Sequence, residues 1–460
     1  MSIADRAEPR TEPASARLAV ERRGIDHIPE EERHGSVRQL AFMWSGCVLN
    51  VAVVTYGALL TAMGLSLWQA VLAIIVGNLT WVLTGFGSLP GPLAGVTAFI
   101  SSRAAYGRDG NRIPAFFNWL SNVGYEVVDL ALAALAAIVL AGKAGIQVGV
   151  PAKITIILLL AAVQSILPIF GHAAITRALR LLSIPFLLLF AIMAVLTAQK
   201  VHFTGGHAGG WPLFLVGVAL SASSSGLGWT GNAADYSRYL PSDVNRRRVI
   251  LAVTLGGGIP QIALMTLGAA VGTVVTTASD PISGLPTAFA TWFLAPYLVM
   301  VIVQLLAVNA VDLYSSGVSL QALGLKVRRW QAVAIDAVLC TAVTTVVVFS
   351  DSFNTYLNDM LLFMIAWLAP WTAVYVTDYL LRRGRYDVAA LTGSGRRFRV
   401  AGVAALLAGA AASLLCINTT VFTGPVAKAI GGGDLSVPAG LIVAGLAYAL
   451  LARRSIASDQ

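Results

Sequence analysis

A chain of 460 residues that is 57% hydrophobic and 12% charged, with mean hydropathy +0.77, is too apolar for a soluble globular domain, which carries about 25% charged residues. The composition demands a polytopic membrane protein whose helices each use about 20 apolar residues to cross the bilayer. The formal charge of +9 does not imply a nucleic-acid partner, because a basic inner face beside anionic lipid accounts for it.

In chain order, residues 1–35 are polar and rich in Arg, Glu and Pro, and read as a disordered cytoplasmic tail rather than a signal peptide. Twelve spans follow, at 38–63, 68–90, 113–141, 153–171, 176–198, 211–233, 248–276, 293–322, 331–350, 356–380, 400–420 and 436–452. With the N-terminus inside, all but Lys143, Lys153, Lys200 and Lys428 of the 31 Lys and Arg fall on the cytoplasmic side. That asymmetry supports an even number of spans with both termini in the cytoplasm, and a plasma (inner) membrane location is expected. Cys47, Cys340 and Cys416 fall in separate spans and form no CxxC pair. No HExxH, GxSxG or Walker segment occurs, and no polar stretch is long enough for a nucleotide-binding domain. The expectation is a protein without metal, cofactor or obligate protein partner, and neither an enzyme nor a channel.

Two spans are interrupted. The first contains Ser45-Gly46-Cys47 and Asn50. The sixth contains Ser221-Ala222-Ser223-Ser224-Ser225-Gly226-Leu227-Gly228 before Trp229. Small residues let the backbone leave the helix, and a membrane tolerates that only where the freed groups line a cavity or find partners. Spans 1 and 6 correspond if spans 1–5 and 6–10 are inverted repeats, and paired interruptions of this kind point to a transporter site. Close packing of helices through Gly and Ser is the competing explanation.

Two further spans carry acids. The third holds Tyr125, Glu126 and Asp129, with Tyr125 and Asp129 on one face at i, i+4. The eighth holds Gln304, Asn309 and Asp312. An Asp at the centre of a span costs roughly 2.5–3.5 kcal/mol even on mild insertion scales, so such residues mark a site or a pathway.

Several separated segments resemble the nucleobase:cation symporter-1 family of purine-cytosine permeases. They are Ser102-Arg103-Ala104-Ala105-Tyr106-Gly107 with Gly110-Asn111-Arg112-Ile113-Pro114, Ala234-Asp235-Tyr236-Ser237-Arg238-Tyr239-Leu240-Pro241, Leu313-Tyr314-Ser315-Ser316-Gly317, and Thr377-Asp378-Tyr379. The resemblance implies an all-α integral membrane protein of the leucine-transporter type, with a 5+5 inverted repeat across residues 36–385. Helices 11 and 12 and a short cytoplasmic C-terminus then occupy 386–460. It also implies a solute site between helices 1, 3, 6 and 8.

The family pattern places an aromatic, usually Trp, at Tyr125 and an amide at Asp129, so this chain departs at both. Trp229 stands where some relatives carry a second stacking aromatic. Ser225 and Gly226 then offer backbone to the ligand, Asn309 matches a family amide, Asp312 faces helix 3, and Asn50 matches a family Asn near the first break. A flat heterocycle needs such stacking rings and a few fixed polar groups. A carboxylate at 129 only accepts hydrogen bonds unless protonated, which suits the amino edge of cytosine or a purine. Hydantoin, allantoin, uracil, thiamine or another cationic heterocycle remain open as cargo.

Sodium-coupled relatives carry two hydroxyl residues before the helix 8 amide, where this chain has Ala307 and Val308. With Asp129, Glu126 and Asp312 available as proton carriers, proton coupling is expected rather than sodium coupling. Arg103 and Asp235 are placed at the cytoplasmic side, as an inner gate or a structural clamp.

Overall fold

The computed structural model describes residues 23–198, 200–201, 208–350 and 353–459. Twelve helical segments follow the twelve expected spans. They are α1 (Val37–Val48 with Val51–Ala62), α2 (Leu67–Ala94), α3 (Arg112–Lys143), α4 (Val150–Phe170), α5 (His172–Ala198) and α6 (Trp211–Ser237). Then come α7 (Arg246–Gly272), α8 (Thr291–Ala322), α9 (Arg329–Phe349), α10 (Phe353–Arg382), α11 (Val400–Cys416) and α12 (Ser436–Asp459). Among the described residues nine are individually long and apolar enough to cross a membrane, and the bent pair of α1 makes ten. Of the other two, α11 is a shorter apolar helix of 17 residues and α10 runs for 30.

The break in α1 has a local cause. Its two halves meet at 55°, and Asn50 sits between them in extended backbone (φ −139°, ψ 162°). The Asn50 side-chain oxygen accepts from Val53 N at 3.2 Å, capping the second half, while its Nδ2 donates to Cys47 O at 2.8 Å. One side chain therefore satisfies an orphaned group on each side of the break, and an Asn cap of this kind is worth about 1 kcal/mol. The second half of α1 crosses α7 at Gly57 and Gly268. A Cβ on Gly57 would lie 1.8 Å from Met265 O, and one on Gly268 1.8 Å from Val54 O, so neither helix admits a larger residue there.

In α6 the helix stops at Ser223. Ser225 leaves the helical region (φ −117°, ψ −140°) before a short turn at Gly226–Trp229 and a final helical piece, Ala233–Ser237. Neighbouring helices satisfy the groups this frees. Gln261 Nε2 of α7 donates to Ser224 O at 2.6 Å, Thr84 Oγ1 of α2 donates to Gly226 O at 2.5 Å, and Leu227 N donates to Thr80 Oγ1 at 3.2 Å. The break is buried in protein, where a membrane can tolerate it.

The arginine-rich segments gather at one end. Asp109, between α2 and α3, accepts from Arg397, between α10 and α11, at 2.9 Å, and that guanidinium holds its carboxyl below the usual carboxylate range. Arg246 donates to Arg383 O at 3.3 Å at the same end. At the opposite end Lys200 Nζ donates to Ala288 O at 2.7 Å.

Residues 23–35 correct the expectation of a disordered tail over 1–35, whose first 22 residues lie outside the described part. This segment packs across the arginine-rich end. Ile28 N donates to Gly95 O, Gly35 N donates to Tyr239 O, and Arg238 Nη1 reaches Gly24 O at 2.7 Å. Arg33 donates to Ile28 O and to Pro92 O, and pairs with Glu30 at 2.9 Å. The polar composition that reads as a tail is here a set of side chains and amides spent on carbonyls of distant segments.

Candidate functional site

A cavity lies between α1, α3, α6 and α8. Its walls include Asn50, Val53 and Tyr56 from α1, Tyr125 and Asp129 from α3, Ser224 and Trp229 from α6, and Val308 and Asp312 from α8. The two broken helices supply eight of its twelve lining residues, so irregular backbone occurs where it borders a cavity.

Of the eight side chains proposed from the sequence to bind solute, Asn50, Tyr125, Asp129, Trp229 and Asp312 line this cavity. Tyr125 is half-buried, and its hydroxyl donates a long hydrogen bond (3.4 Å) to Ser223 O at the α6 break. Trp229 is also half-buried. Its ring is braced edge-on by Trp44 at 5.7 Å, and Trp44 in turn abuts Trp81 at 5.6 Å. Trp81 Nε1 donates to Gln261 Oε1 at 3.0 Å, so the wall is tied to the residue that holds the α6 break. Asp129 and Asp312 face the same space from opposite helices, and among the described residues the cavity wall includes no Lys, Arg or His.

The remaining three point elsewhere. Ser225 Oγ is engaged with Thr80 Oγ1 at 3.2 Å and Gly77 O at 3.3 Å, which turns it onto α2. Gly226 is the contact point with that helix. A Cβ there would lie 2.3 Å from Trp81 N, so its smallness serves packing rather than ligand access. Gly226→Ala is therefore expected to cost about 1–3 kcal/mol of stability by overpacking, read as a lower thermal midpoint in detergent. Ser225→Ala should leave solute affinity within about twofold. Asn309 turns away from the cavity, with Nδ2 donating to Gln164 Oε1 at 2.7 Å and to Glu126 O at 3.1 Å.

Glu126 is fully buried, does not line the cavity, and among the described residues has no partner at good hydrogen-bond geometry at either carboxylate oxygen. Gln304 is likewise fully buried, with both side-chain polar atoms unpartnered among the described residues. Arg103 and Asp235 do not form the suggested pair. Arg103 Nη1 donates to Leu391 O at 3.0 Å, and Asp235 Oδ1 accepts from Ala98 N at 2.9 Å. Sequence reasoning missed Tyr56, Ser224 and Gln261. The spacing of Asn50, Val53 and Tyr56 along the second half of α1 was the available signal for Tyr56, whereas nothing local singles out Gln261.

This architecture, two interrupted helices around an aromatic and acidic cavity in an all-helical membrane bundle, defines a secondary transporter. Residues 27–440 match the family described as "Permease for cytosine/purines, uracil, thiamine, allantoin", and the chain belongs to that family. A putative purine-cytosine permease of Bacillus subtilis, YxlA, is 31% identical over 453 residues, covering 94% of this chain and 96% of that protein. The purine-cytosine permease FCY21 of Saccharomyces cerevisiae is 27% identical, covering 94% of this chain and 86% of that protein. Among solved structures, Mhp1, a nucleobase-cation-symport-1 family transporter in a closed conformation with bromovinylhydantoin bound, superposes with a TM-score of 0.78. It is 20% identical and covers 95% of this chain and 96% of Mhp1. The fold is thus that of the leucine-transporter class, and the chain is a multi-pass nucleobase-type permease rather than an enzyme.

Proposed function

We propose that the protein is a secondary active importer of a planar nitrogen heterocycle, cytosine or a purine base, working by alternating access and proton symport. The observation that carries this reading is the convergence of Tyr125, Trp229, Asp129 and Asp312 on one cavity. Two rings on different helices suit the faces of a flat base, and two carboxylates suit its N–H edges. The relatives named as purine-cytosine permeases support the same cargo.

Proton coupling is supported by what stands on α8. Ala307 and Val308 offer no side-chain oxygen, Val308 forms cavity wall, and Asp312 follows one turn later. A location in the plasma (inner) membrane with both termini cytoplasmic is supported by the clustering of arginine-rich segments at one end.

A second reading keeps the fold and changes the cargo to a hydantoin, allantoin, uracil, or a cationic vitamin such as thiamine. The cavity's two acids without a basic neighbour favour the cationic member of that group. A thermal-shift panel of the purified protein separates the two. A ligand present at 100 times its Kd stabilises the folded state by about 2.7 kcal/mol. Cytosine, adenine or guanine should raise the midpoint more than hydantoin, allantoin, uracil or thiamine. A response confined to thiamine would replace the nucleobase assignment with the cationic one.

A further inference from the structure

Behind α3, away from the cavity, a second pair of buried acids lies between α3, α8 and α9. Glu126 and Asp336 are both completely buried. Asp336 is held by neutral donors alone in the bonds that reach it. Trp119 Nε1 donates to Oδ1 at 2.7 Å and Ser316 Oγ donates to Oδ2 at 2.9 Å. Among the described residues neither oxygen of Glu126 has a partner at good hydrogen-bond geometry. Asp336, Asp129 and Ser316 all lie within interaction range of Glu126, and Ser316 reaches both acids.

Among the described residues, the helices around the pair place no compensating cation at that depth. From α4, Gln164 faces Asn309 at 2.7 Å and Cys340 at 3.9 Å, and from α9 Thr344 Oγ1 donates to Val127 O at 3.5 Å. The basic residues of these four helices, Arg112, Lys143, Lys153 and Arg329, stand in their terminal turns. Arg329 donates to Pro168 O at 2.7 Å and lies 4.2 Å over the Tyr314 ring. Two carboxylates taken out of water without a cation are very costly as a doubly ionised pair, but not when they share protons.

The pair is also continuous with the cavity. Ser316 follows Asp312 by one turn on α8, about 6 Å toward the arginine-rich end. On α3, Glu126 precedes Asp129 by about 4.5 Å in the same direction. Asp312 lies within interaction range of both Asp129 and Glu126. Asp336 then lies seven residues from Arg329, about 10 Å from that end of α9.

We propose that Glu126 and Asp336 form a second proton-binding site, off the solute cavity, that carries the coupling proton from Asp129 and Asp312 toward the arginine-rich end of the bundle. At each transfer one carboxyl O–H breaks and one forms on the accepting carboxylate, directly or through the Ser316 hydroxyl. No other reactant is needed. Solute and proton thereby leave the cavity by different routes. Asp336 is then a positioning residue for the proton and makes no contact with solute.

The proposal rests on the proton-symport reading, and the test separates the two. Wild type, Asp336→Asn, Glu126→Gln and Asp336→Glu are reconstituted into proteoliposomes loaded with a pH-sensitive dye. Three quantities are measured with radiolabelled cytosine: equilibrium binding, solute exchange at equal pH, and uptake under an imposed pH gradient. Asp336→Asn and Glu126→Gln should keep binding and exchange within about twofold of wild type. They should lose gradient-driven uptake and solute-dependent acidification by at least about tenfold, and Asp336→Glu should recover both. Full coupling in the two neutral variants would overturn the proton site alone. Loss of binding and exchange in parallel with coupling, without rescue by Asp336→Glu, would make the pair structural and also overturn it. Wild-type uptake that ignores the pH gradient would remove the proton-symport reading and this site with it.

Discussion

Replacing Trp229 with alanine is expected to weaken heterocycle binding by about 1–3 kcal/mol, the range for removing an aromatic ring from a stacked base, or roughly 5- to 150-fold in Kd. Trp229 is half-buried because one face borders the cavity, while its edge is fixed by Trp44 at 5.7 Å. The ring is thus pre-positioned and little entropy is lost when a ligand stacks on it. Trp229→Phe keeps a ring and should lose much less than Trp229→Ala. Titration of cytosine against both variants, with the thermal midpoint as a folding control, checks the assignment. If Trp229→Ala binds as wild type does, the residue only packs against Trp44. Equal losses in the two variants would mean that the indole edge, rather than the stacking face, is recognised.

How much of this was legible in the sequence follows from what each signal encodes. The twelve segments were legible because apolar length is a local property. The break at Asn50 was legible because an Asn among Gly, Cys and Val in hydrocarbon has few uses, and capping both halves of α1 is one of them. Tyr125, Asp129, Trp229 and Asp312 stood out as polar or aromatic groups in apolar runs, and all four line the cavity.

What sequence could not carry was rotation and third-party contact. Asn309 and Asp312 are three residues apart on α8, yet Asn309 is claimed by Gln164 of α4 while Asp312 faces the cavity. Gly226 reads as ligand-facing backbone until the close approach of Trp81 is seen. Asp336 belongs to a helix outside the expected site, and only its bonds to Trp119 and Ser316 connect it to the rest. The segment 23–35 fails for a related reason, since the partners of Arg33 and Gly35 lie on loops far along the chain.

The other large effect concerns Asp129. Replacing it with Asn fixes a neutral side chain of nearly the same shape at a position that lines the cavity opposite Asp312. The amide still offers an oxygen acceptor and adds two N–H donors, so a base edge keeps a partner. What the variant lacks is a titratable proton. A carboxyl that gains a proton while open to the outside, and loses it once the site turns inward, ties solute movement to the gradient. An amide cannot do this. One pH unit corresponds to about 1.4 kcal/mol per proton, so a one-proton symporter under that gradient concentrates its solute roughly tenfold. Wild type in proteoliposomes should approach that ratio, and Asp129→Asn should equilibrate solute to a ratio of about one while retaining cytosine affinity within a few-fold. Imposing a sodium gradient at equal pH should drive neither protein. Accumulation by wild type under sodium alone would transfer the coupling role to a cation held by backbone carbonyls at the α1 break, where Ala307 and Val308 contribute no side-chain oxygen. Full pH-driven accumulation in Asp129→Asn would instead move the proton to Asp312, the other acid on the cavity wall.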